Sequence, residues 1–290
     1  MRISTSTEMC EQVLRQTERY YSCKEAIDAI GWAGFQAMDI NLHQFGKELE
    51  QPNWREWAAE HRDYAIGNGL PVIQAHAHLY GSFDFYEYTQ EQIEYHAGLI
   101  CRDIEAAGIF GAPWIVIHPD SYLDETWYSR KRSMEKNIER FKKYGEVAAK
   151  HGLGIAIENM IDKRSLRRFG AGTEDLVELV DRLGDKNLFG VCWDTGHANL
   201  HQMNQAKALH EIGERLKAVH INDNLGVYDH HLLPFQGTVN WKEVVGALKD
   251  IGYNGYFNYE IHGFARGFDP EFHHEAMRFA RQLAEHLVSL

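Results

Sequence analysis

Short apolar segments alternate with longer helical patterns along the whole chain, and this alternation constrains the fold more than any other feature of the sequence. The helical patterns carry apolar residues at i, i+3, i+4 and i+7, whereas the apolar segments have the length of strands. The predicted strands are Arg2–Ser6, Gln36–Asn41, Pro71–Ala77, Trp114–His118, Gly154–Glu158, Phe189–Asp194, Ala218–Ile221 and Gly255–Ile261. The predicted helices include Lys24–Trp32, Gln90–Ala107, Ser133–His151, Thr173–Leu183, Gln205–Leu216, Trp241–Ile251 and Pro270–Val288.

Eight strands that alternate with helices at spacings of roughly 30 to 40 residues predict an α/β fold, a single (β/α)8 TIM barrel. A doubly wound open sheet is the competing architecture. Its Gly-rich phosphate loop would follow the first strand, where this chain has Ser4, Thr5, Ser6 and Thr7 instead. The chain has no linker rich in Pro, Gly or Ser, so we expect one domain over residues 1–290.

The charge balance argues against nucleic acid as a binding partner. The 290 residues include 42 Asp and Glu against 30 Lys and Arg, which gives a formal net charge of −12. Nucleic acid is therefore not expected as a partner, because phosphate binding needs a basic stripe.

The 4 cysteines form no Cys-x-x-Cys pair, and the sequence has neither a signal peptide nor an apolar stretch of membrane-spanning length. We therefore expect a cytoplasmic protein without membrane contact.

Histidines and carboxylates stand at the ends of six consecutive predicted strands, from the third to the eighth. They are His76 and His78, His118 and Asp120, Glu158, Asp194 and His197, His220 and Asp223, and Glu260, with Asp229, His230 and His231 in the loop after strand seven. In a barrel the carboxyl ends of the strands converge on one face, where active sites lie. Buried carboxylates need a partner, and a divalent metal ion supplies one. Mixed nitrogen and oxygen ligands suit Mn, Mg, Co or Zn.

Four segments resemble the motifs of the xylose isomerase-like TIM barrel superfamily: Ile157–Asn159, Trp193–His197, Val219–Asp223 and Tyr259–Glu260. The resemblance extends from strand two, at Ala33–Ile40, to the last helix. This superfamily contains sugar isomerases and epimerases, inosose and dehydroshikimate dehydratases, and the DNA-repair enzyme endonuclease IV. The resemblance therefore implies a metal-dependent enzyme on a TIM barrel.

Resemblance to the sugar epimerases implies one divalent ion with four ligands, namely Glu158, Asp194, His220 and Glu260. The two glutamates would also transfer protons on opposite faces of the substrate carbon, and His197 would contact a substrate oxygen. The implied reaction is isomerisation or epimerisation of a sugar or sugar derivative through an enediolate, which a divalent ion on the ketone oxygen stabilises. Substrate-binding roles would then fall to His76, His118, Asp229 and His231. The family also implies a possible homo-oligomer.

Endonuclease IV uses nine ligands for three zinc ions, and each ligand has a candidate in this chain. The candidates are His76 (or His78), His118, Glu158, Asp194, His197, His220, Asp229, His231 and Glu260. Two departures disfavour this interpretation: His78 stands where the repair enzymes have Pro, and Pro234–Gly237 replaces their Gly-Glu-Gly turn. The acidic charge points the same way. Sugar chemistry is the favoured hypothesis.

Three alternatives to an isomerase remain open. A lyase or dehydratase would use the same metal site on a keto-sugar or keto-cyclitol, with loss of a β-substituent from the enediolate. A trinuclear zinc phosphoesterase and a non-catalytic sugar-binding subunit are the others. The substrate is not predictable, because specificity in this fold lies in the βα loops.

Three local features add expectations about the barrel face. Arg164, Arg167 and Arg168 follow strand five and could receive a phosphate or carboxylate, although such charge runs are mostly solvated surface. The aromatic segment Phe83–Tyr88 follows strand three and could form a wall for a bulky ligand. Trp193 should point away from the site if Asp194 points into it, because neighbours on a strand alternate.

Overall fold

The protein is described by a computed structural model that covers residues 1–10, 21–79, 89–122, 128–162, 167–265 and 268–290. Eight parallel strands form one sheet in the order β7-β6-β5-β4-β3-β2-β1-β8. The strands are β1 (Arg2–Ser6), β2 (Met38–Asn41), β3 (Val72–His76), β4 (Trp114–Ile117), β5 (Gly154–Glu158), β6 (Phe189–Asp194), β7 (Leu216–His220) and β8 (Tyr256–Tyr259). The predicted TIM barrel is confirmed.

Helices follow the strands on the outside of the barrel. In the described ranges they are α1 (Cys23–Ala33), α2 (Gly46–Leu49), α3 (Trp54–Gly67), α4 (Gln90–Phe110), α5 (Arg130–His151), α6 (Thr173–Leu183), α7 (Thr195–Leu200), α8 (Gln205–Ile212), α9 (Trp241–Asp250) and α10 (His273–Ser289). Short 3-10 turns occupy Leu42–Phe45, Gly213–Arg215 and Pro270–Phe272. No helix within these ranges is long and apolar enough to cross a bilayer.

The strands β7 and β8 meet at a seam that closes the barrel. A single parallel bridge joins Ile221 to Tyr259 there. The Ile221 amide donates to the Asn258 carbonyl (2.8 Å), and the Glu260 amide donates to the Ile221 carbonyl (3.1 Å). Elsewhere in the sheet each neighbouring pair of strands shares at least two paired positions. The seam is therefore the most sparsely bonded junction of the barrel.

Two predicted helix ends are wrong. The sequence favours a helix that ends at Ala107, but α4 continues to Phe110, because Phe110 is buried and extends the apolar face. The helix ends instead at Gly111, whose φ of 82° is the left-handed conformation that glycine accepts readily. The helix predicted to run to Leu216 ends at Ile212, and the chain passes through the Gly213–Arg215 turn before β7 begins at Leu216.

Side chains of the strands alternate between the helices and the barrel interior, as the two-residue period of a strand requires. On β5, Ile155 and Ile157 belong to the large core between the sheet and the helices. Ala156 belongs to a separate small cluster with Val116, Cys192 and Ala218, one residue from each of β4 to β7. The residue two positions after each member of this cluster is one of the predicted site residues: His118, Glu158, Asp194 and His220. The strand period therefore carries these side chains to the carboxyl end of the interior.

The other half of the interior is polar, which the sequence analysis did not predict. The Ser4 hydroxyl donates to Asn258 Oδ1 (2.8 Å), and Asn258 Nδ2 donates to Asp39 Oδ2 (2.9 Å). Gln74 Nε2 also donates to Asp39 Oδ2 (2.9 Å). All four side chains are buried. We call Ser4, Asp39, Gln74 and Asn258 the polar layer.

Candidate metal centre

Nine side chains at the carboxyl-terminal face of the barrel form groups with metal-ligand geometry, on strand ends, on the helix after β6 and in the loop after β7. Within each group, one ligand atom per residue lies within 4.8 Å of the others. The central group is Glu158, Asp194, His220 and Glu260; the β3–β4 group is His76, His118 and Glu158; the loop group is His197, Asp229 and His231. A further overlapping set joins His76 to His220 and Glu260. The loop group shares no residue with the others, but His231 Nδ1 lies 3.4 Å from Glu260 Oε2 and His197 Nδ1 lies 3.7 Å from Glu158 Oε1, so the nine candidate ligands lie in one cluster.

The central group is almost completely removed from solvent, with 0–5% of each residue exposed. His220 Nδ1 lies 2.9 Å from Glu158 Oε1 and 3.3 Å from Glu260 Oε2, so one imidazole nitrogen faces carboxylates from β5 and from the end of β8. Asp194 completes the group from the end of β6.

Two asparagines of the recognised motifs hold Asp194 in place. Asn159 Oδ1 accepts the Asp194 amide (2.6 Å), and Asn159 Nδ2 donates to the Asp194 carbonyl (2.9 Å). Asn222 Nδ2 donates to Asp194 Oδ2 (2.7 Å), while Asp194 Oδ1 caps α7 by accepting the His197 amide (2.6 Å). No role was predicted for these asparagines, although Asn159 directly follows Glu158 and Asn222 stands two residues after His220.

The β3–β4 group shares its carboxylate with the central group. His76 Nε2 lies 3.2 Å and His118 Nε2 lies 2.9 Å from Glu158 Oε2. His76 Nδ1 contacts the Ala77 carbonyl (2.8 Å), which directs Nε2 toward Glu158. His78, the alternative to His76, is in none of the groups; its ring contacts His43 at a centroid distance of 4.7 Å.

The loop group lies between α7 and the segment after β7. Asp229 Oδ2 is 3.3 Å from His197 Nε2 and 3.1 Å from His231 Nε2. His231 has a φ of 46°, an uncommon conformation for a residue other than glycine and one often retained at functional sites. Its Nδ1 contacts the Glu260 carbonyl at 2.9 Å, which links the loop group to the central group.

The electrostatics of the cluster reflect many buried acids beside many imidazoles. Burial acts to raise the pKa of Glu158, but His220 and His118 outweigh it and hold that pKa well below its usual range. Burial and the neighbouring acids Glu8 and Glu158 raise the pKa of Glu260 well above its usual range. Burial acts to lower the pKa of His197, but Asp194 and Asp229 raise it to about 10.

The donor set fits a divalent metal ion. Three buried carboxylates and an imidazole converge in the central group, and buried acids of this kind are stabilised by a cation. In the loop group, Asp229 Oδ1 is buried and accepts no hydrogen bond from the described residues. Asp229 together with His197 and His231 makes a ligand set typical of zinc or manganese sites.

Several other predicted rim residues have different roles. Asp120 forms an ion pair with Arg140. The carboxylate of Asp223 accepts four hydrogen bonds from the loop that follows it, including one from Trp241 Nε1 (2.9 Å). Neither acid belongs to a metal-ligand group in the described part of the chain. Position at the end of a strand is therefore not sufficient to identify a ligand.

The sequence analysis missed an acid–imidazole pair at the edge of the cluster. Glu8 Oε2 lies 3.3 Å from His262 Nδ1, and the His262 ring stacks on His231 at a centroid distance of 4.0 Å. Burial acts to raise the pKa of Glu8, but His262 lowers it to about 2. His262 stands two residues after Glu260, so the two-residue period of a strand would have placed both side chains on the same face.

The remaining expectations concern residues around the cluster. Trp193 Nε1 donates to Gln205 on α8 (3.2 Å), so its side chain lies on the helix side of β6 as expected. Arg167 is partly exposed near Glu174, whereas Arg168 is buried and donates to the Ile161 carbonyl (3.4 Å). Arg164 and the aromatic segment Phe83–Tyr88 lie outside the described residues.

The sequence matches a family of known proteins over most of its length. The family model described as xylose isomerase-like TIM barrel matches residues 25–283. The uncharacterized protein y4fM of Sinorhizobium fredii is 27% identical over 267 residues, which are 84% of this chain and 83% of that protein. A D-psicose 3-epimerase of Enterocloster bolteae is 32% identical over 82 residues, 28% of this chain and 25% of that enzyme. A probable endonuclease 4 of Staphylococcus saprophyticus is 28% identical over 177 residues, 55% of this chain and 52% of that enzyme.

Solved structures share the fold over the full length of the chain. A D-tagatose 3-epimerase-like protein superposes with a TM-score of 0.75 at 23% identity, covering 100% of this chain and 98% of that one. The 3-keto-D-glucoside 4-epimerase of E. coli superposes with a TM-score of 0.74 at 21% identity, covering 99% of each chain. Enzymes named as sugar epimerases thus have the same barrel.

Proposed function

This chain belongs to the xylose isomerase-like TIM barrel family, and on that premise we propose that it is a divalent-metal-dependent isomerase or epimerase of sugars or sugar derivatives. One observation carries the proposal: Glu158 and Glu260, from strands separated by β6 and β7, face the same nitrogen of His220 within 2.9 and 3.3 Å. Two carboxylates around one ligand centre suit proton transfer at two sides of a substrate carbon.

The proposed metal ligands are Glu158, Asp194, His220 and Glu260. When bound, a divalent ion supplies the positive charge that makes a proton beside a carbonyl removable at neutral pH. Glu158 and Glu260 are the proposed acid and base. One carboxylate accepts the proton from the substrate carbon, and the other returns a proton to the opposite face or to the neighbouring carbon.

The remaining polar side chains of the cluster suit a polyhydroxylated ligand. His197 is the proposed contact of a substrate oxygen, and His76, His118, Asp229 and His231 are proposed to bind further hydroxyls. Imidazole nitrogens donate or accept hydrogen bonds according to tautomer, while Asp229 accepts them, so the set matches hydroxyl groups in either role. The epimerase names among the structural neighbours support a sugar as the substrate. A cytoplasmic location and a homo-oligomeric state remain predictions.

Proton exchange with solvent tests the proposal. The protein, loaded with Mn²⁺, is incubated in D2O with a panel of ketoses and 3-keto-glycosides, and deuterium in recovered substrate and product is measured by mass spectrometry. We expect the wild type and the control Glu56→Gln, at an exposed position of α3, to incorporate deuterium at carbon. Glu260→Gln should form no deuterium-labelled product, because product formation needs both glutamates. Labelled product from Glu260→Gln would refute the assigned role of this glutamate.

The same experiment separates the isomerase from its first rival. A lyase or dehydratase with this metal site would release water or another β-substituent, so the product mass would fall. An inosose dehydratase of Bacillus licheniformis, 22% identical over 247 residues, is among the relatives and supports keeping this alternative. Thermal stabilisation by a sugar without any turnover would favour a non-catalytic sugar-binding subunit.

A trinuclear zinc phosphoesterase is the second candidate, and a specific observation favours it. The β3–β4 group and the loop group flank the central group, so candidates for all nine ligands of endonuclease IV converge. The net charge of −12 opposes binding to a DNA backbone. Elemental analysis of protein purified without a His tag distinguishes the two functions. About one ion per chain supports the sugar enzyme, whereas three zinc ions and incision of an abasic duplex would support the phosphoesterase.

A further inference from the structure

Asp39 is a buried acid on β2 that lies behind the central group, on the side of His220 away from Glu158 and Glu260. Its Oδ2 is 3.7 Å from His220 Nε2, whereas His220 Nδ1 faces the two glutamates. Asp39 is 1% exposed and belongs to none of the metal-ligand groups in the described residues. Its role is therefore not that of a ligand.

The position of His220 leaves one ring nitrogen in need of a partner. His220 Nε2 is buried and makes no hydrogen bond within the described residues. The ring is held on one side by His76, which stacks on it at a centroid distance of 5.5 Å. Asp39 Oδ2 lies 3.7 Å from His220 Nε2. A movement of a few tenths of an ångström would bring these two atoms within hydrogen-bond range.

Two amides of the polar layer fix Asp39 in this position. Asp39 Oδ2 accepts Gln74 Nε2 and Asn258 Nδ2, both at 2.9 Å. Burial raises the pKa of Asp39, while His220, His76 and the two amide donors act to lower it. The amides also hold Oδ2 on the side of the carboxylate that faces the imidazole. Histidines that bind metals commonly donate their second N–H to such a carboxylate, which fixes the tautomer and raises the basicity of the ligand.

We propose that Asp39 is a positioning residue that holds His220 with Nε2 protonated, so that the lone pair of Nδ1 is presented to the metal ion. This inference rests on the proposed metal-dependent function and extends it from the ligands to the layer beneath them. It assigns the polar half of the barrel interior a purpose beyond packing.

Asp39→Asn is the sharpest test, because an asparagine oxygen can still accept from Gln74 and Asn258 while the charge facing His220 is lost. Ser4→Ala is the matched control, since it removes a hydrogen bond from the same layer without touching the Asp39–His220 contact. Affinities for Mn²⁺ and Co²⁺ are measured by calorimetry, together with the absorption spectrum of the Co²⁺ form and the melting temperature of the metal-free protein.

We expect Asp39→Asn to bind both ions about 10- to 100-fold more weakly than wild type. Ser4→Ala should bind them with wild-type affinity, although both variants lower the melting temperature of the metal-free protein. Asp39→Glu, which retains the charge, should recover part of the affinity and keeps the test readable if the asparagine variant does not fold.

Wild-type affinity and an unchanged Co²⁺ spectrum in Asp39→Asn would overturn the positioning role while leaving the proposed function intact. A wild type that binds metal tightly but turns over no sugar would refute the proposed function, while a loss of affinity in Asp39→Asn would still support the role of Asp39. A wild type that binds neither ion would overturn both.

Discussion

Asp223 should be a structural anchor whose replacement is costly, although it lies beside the metal cluster. Its Oδ1 accepts the amides of Asn224 (2.9 Å) and Val239 (3.1 Å). Its Oδ2 accepts the Phe235 amide (3.0 Å) and Trp241 Nε1 (2.9 Å). The residue is completely buried, and the loop that it ties down carries Asp229 and His231.

The magnitude follows from the number of donors that Asp223→Asn would leave without an acceptor. An asparagine offers one oxygen, so two of the four donors would face an amide NH2 instead. Hydrogen bonds to a charged group are worth about 1.5–3 kcal/mol each, so the free energy of unfolding should fall by roughly 3–6 kcal/mol. At about 2 °C per kcal/mol for a chain of this size, the melting temperature should fall by roughly 6–12 °C.

Thermal and urea unfolding, followed by tryptophan fluorescence, measure this loss. Asp185→Asn is the control, because Asp185 is exposed and its Oδ1 accepts one bond, from the Asn187 amide (2.9 Å). The control should change the free energy of unfolding by no more than about 0.5 kcal/mol. If Asp223→Asn melts within 2 °C (about 1 kcal/mol) of the control, the four hydrogen bonds do not anchor the loop and the reasoning fails.

Three further predictions concern Gly237 in the loop after β7, the buried acid Asp103 and the proposed metal ion. Gly237→Ala would place a Cβ 2.2 Å from Asp223 Oδ1, so it should lower the free energy of unfolding by about 1–3 kcal/mol. The control Gly246→Ala, with open space around the new Cβ, should not lower it. Equal urea midpoints for the two variants would contradict this prediction. Burial raises the pKa of Asp103 to about 7 from an ordinary 3.8, so the folded state keeps a proton that the unfolded state loses. Stability should therefore fall by up to about 4 kcal/mol between pH 4 and 7, and Asp103→Asn should flatten this slope in urea titrations at several pH values; an unchanged slope would refute the assignment. A chelator should lower the melting temperature of the metal-loaded protein by roughly 5 °C, the equivalent of an ion at about 100 times its Kd, and Glu158→Gln should show no response to added Mn²⁺; an undiminished response would exclude Glu158 as a ligand.

The fold was predictable because the strands from β4 to β7 are short, mostly apolar runs followed by polar residues, at a regular spacing along the chain. On β5, Gly154–Glu158 combines three apolar side chains with a carboxylate at its end, and predicted and observed bounds agree. The predicted end of α4 at Ala107 was wrong because Gly108 follows it, and glycine commonly ends a helix. A glycine inside a helix costs about 1 kcal/mol, which the burial of Phe110 in the next turn offsets.

The convergence of the candidate ligands was predictable for a related reason. A strand period of two and the convergence of strand ends decide where Glu158 and His220 point. The contacts of the other buried polar side chains depend on tertiary pairing, which the local sequence does not reveal. Ser4 and Asn258 are 254 positions apart in sequence, and they meet only because β1 pairs with β8 when the barrel forms. Asp223 follows β7 much as a ligand would, but the path of the next loop makes it an acceptor for backbone amides.

The seam between β7 and β8 gives the central group a mechanical consequence. His220 ends β7 and Glu260 directly follows β8, so these two proposed ligands stand on either side of the junction that the backbone bonds most sparsely. An ion bound between them would hold the last two strands of the chain together across this junction. Exchange of the Ile221 and Glu260 amides with deuterated solvent should then slow on loading with metal, while that of Ile155, deep in the continuous sheet, should not. An ion that fills the proposed site would thus also strengthen the closure of the barrel.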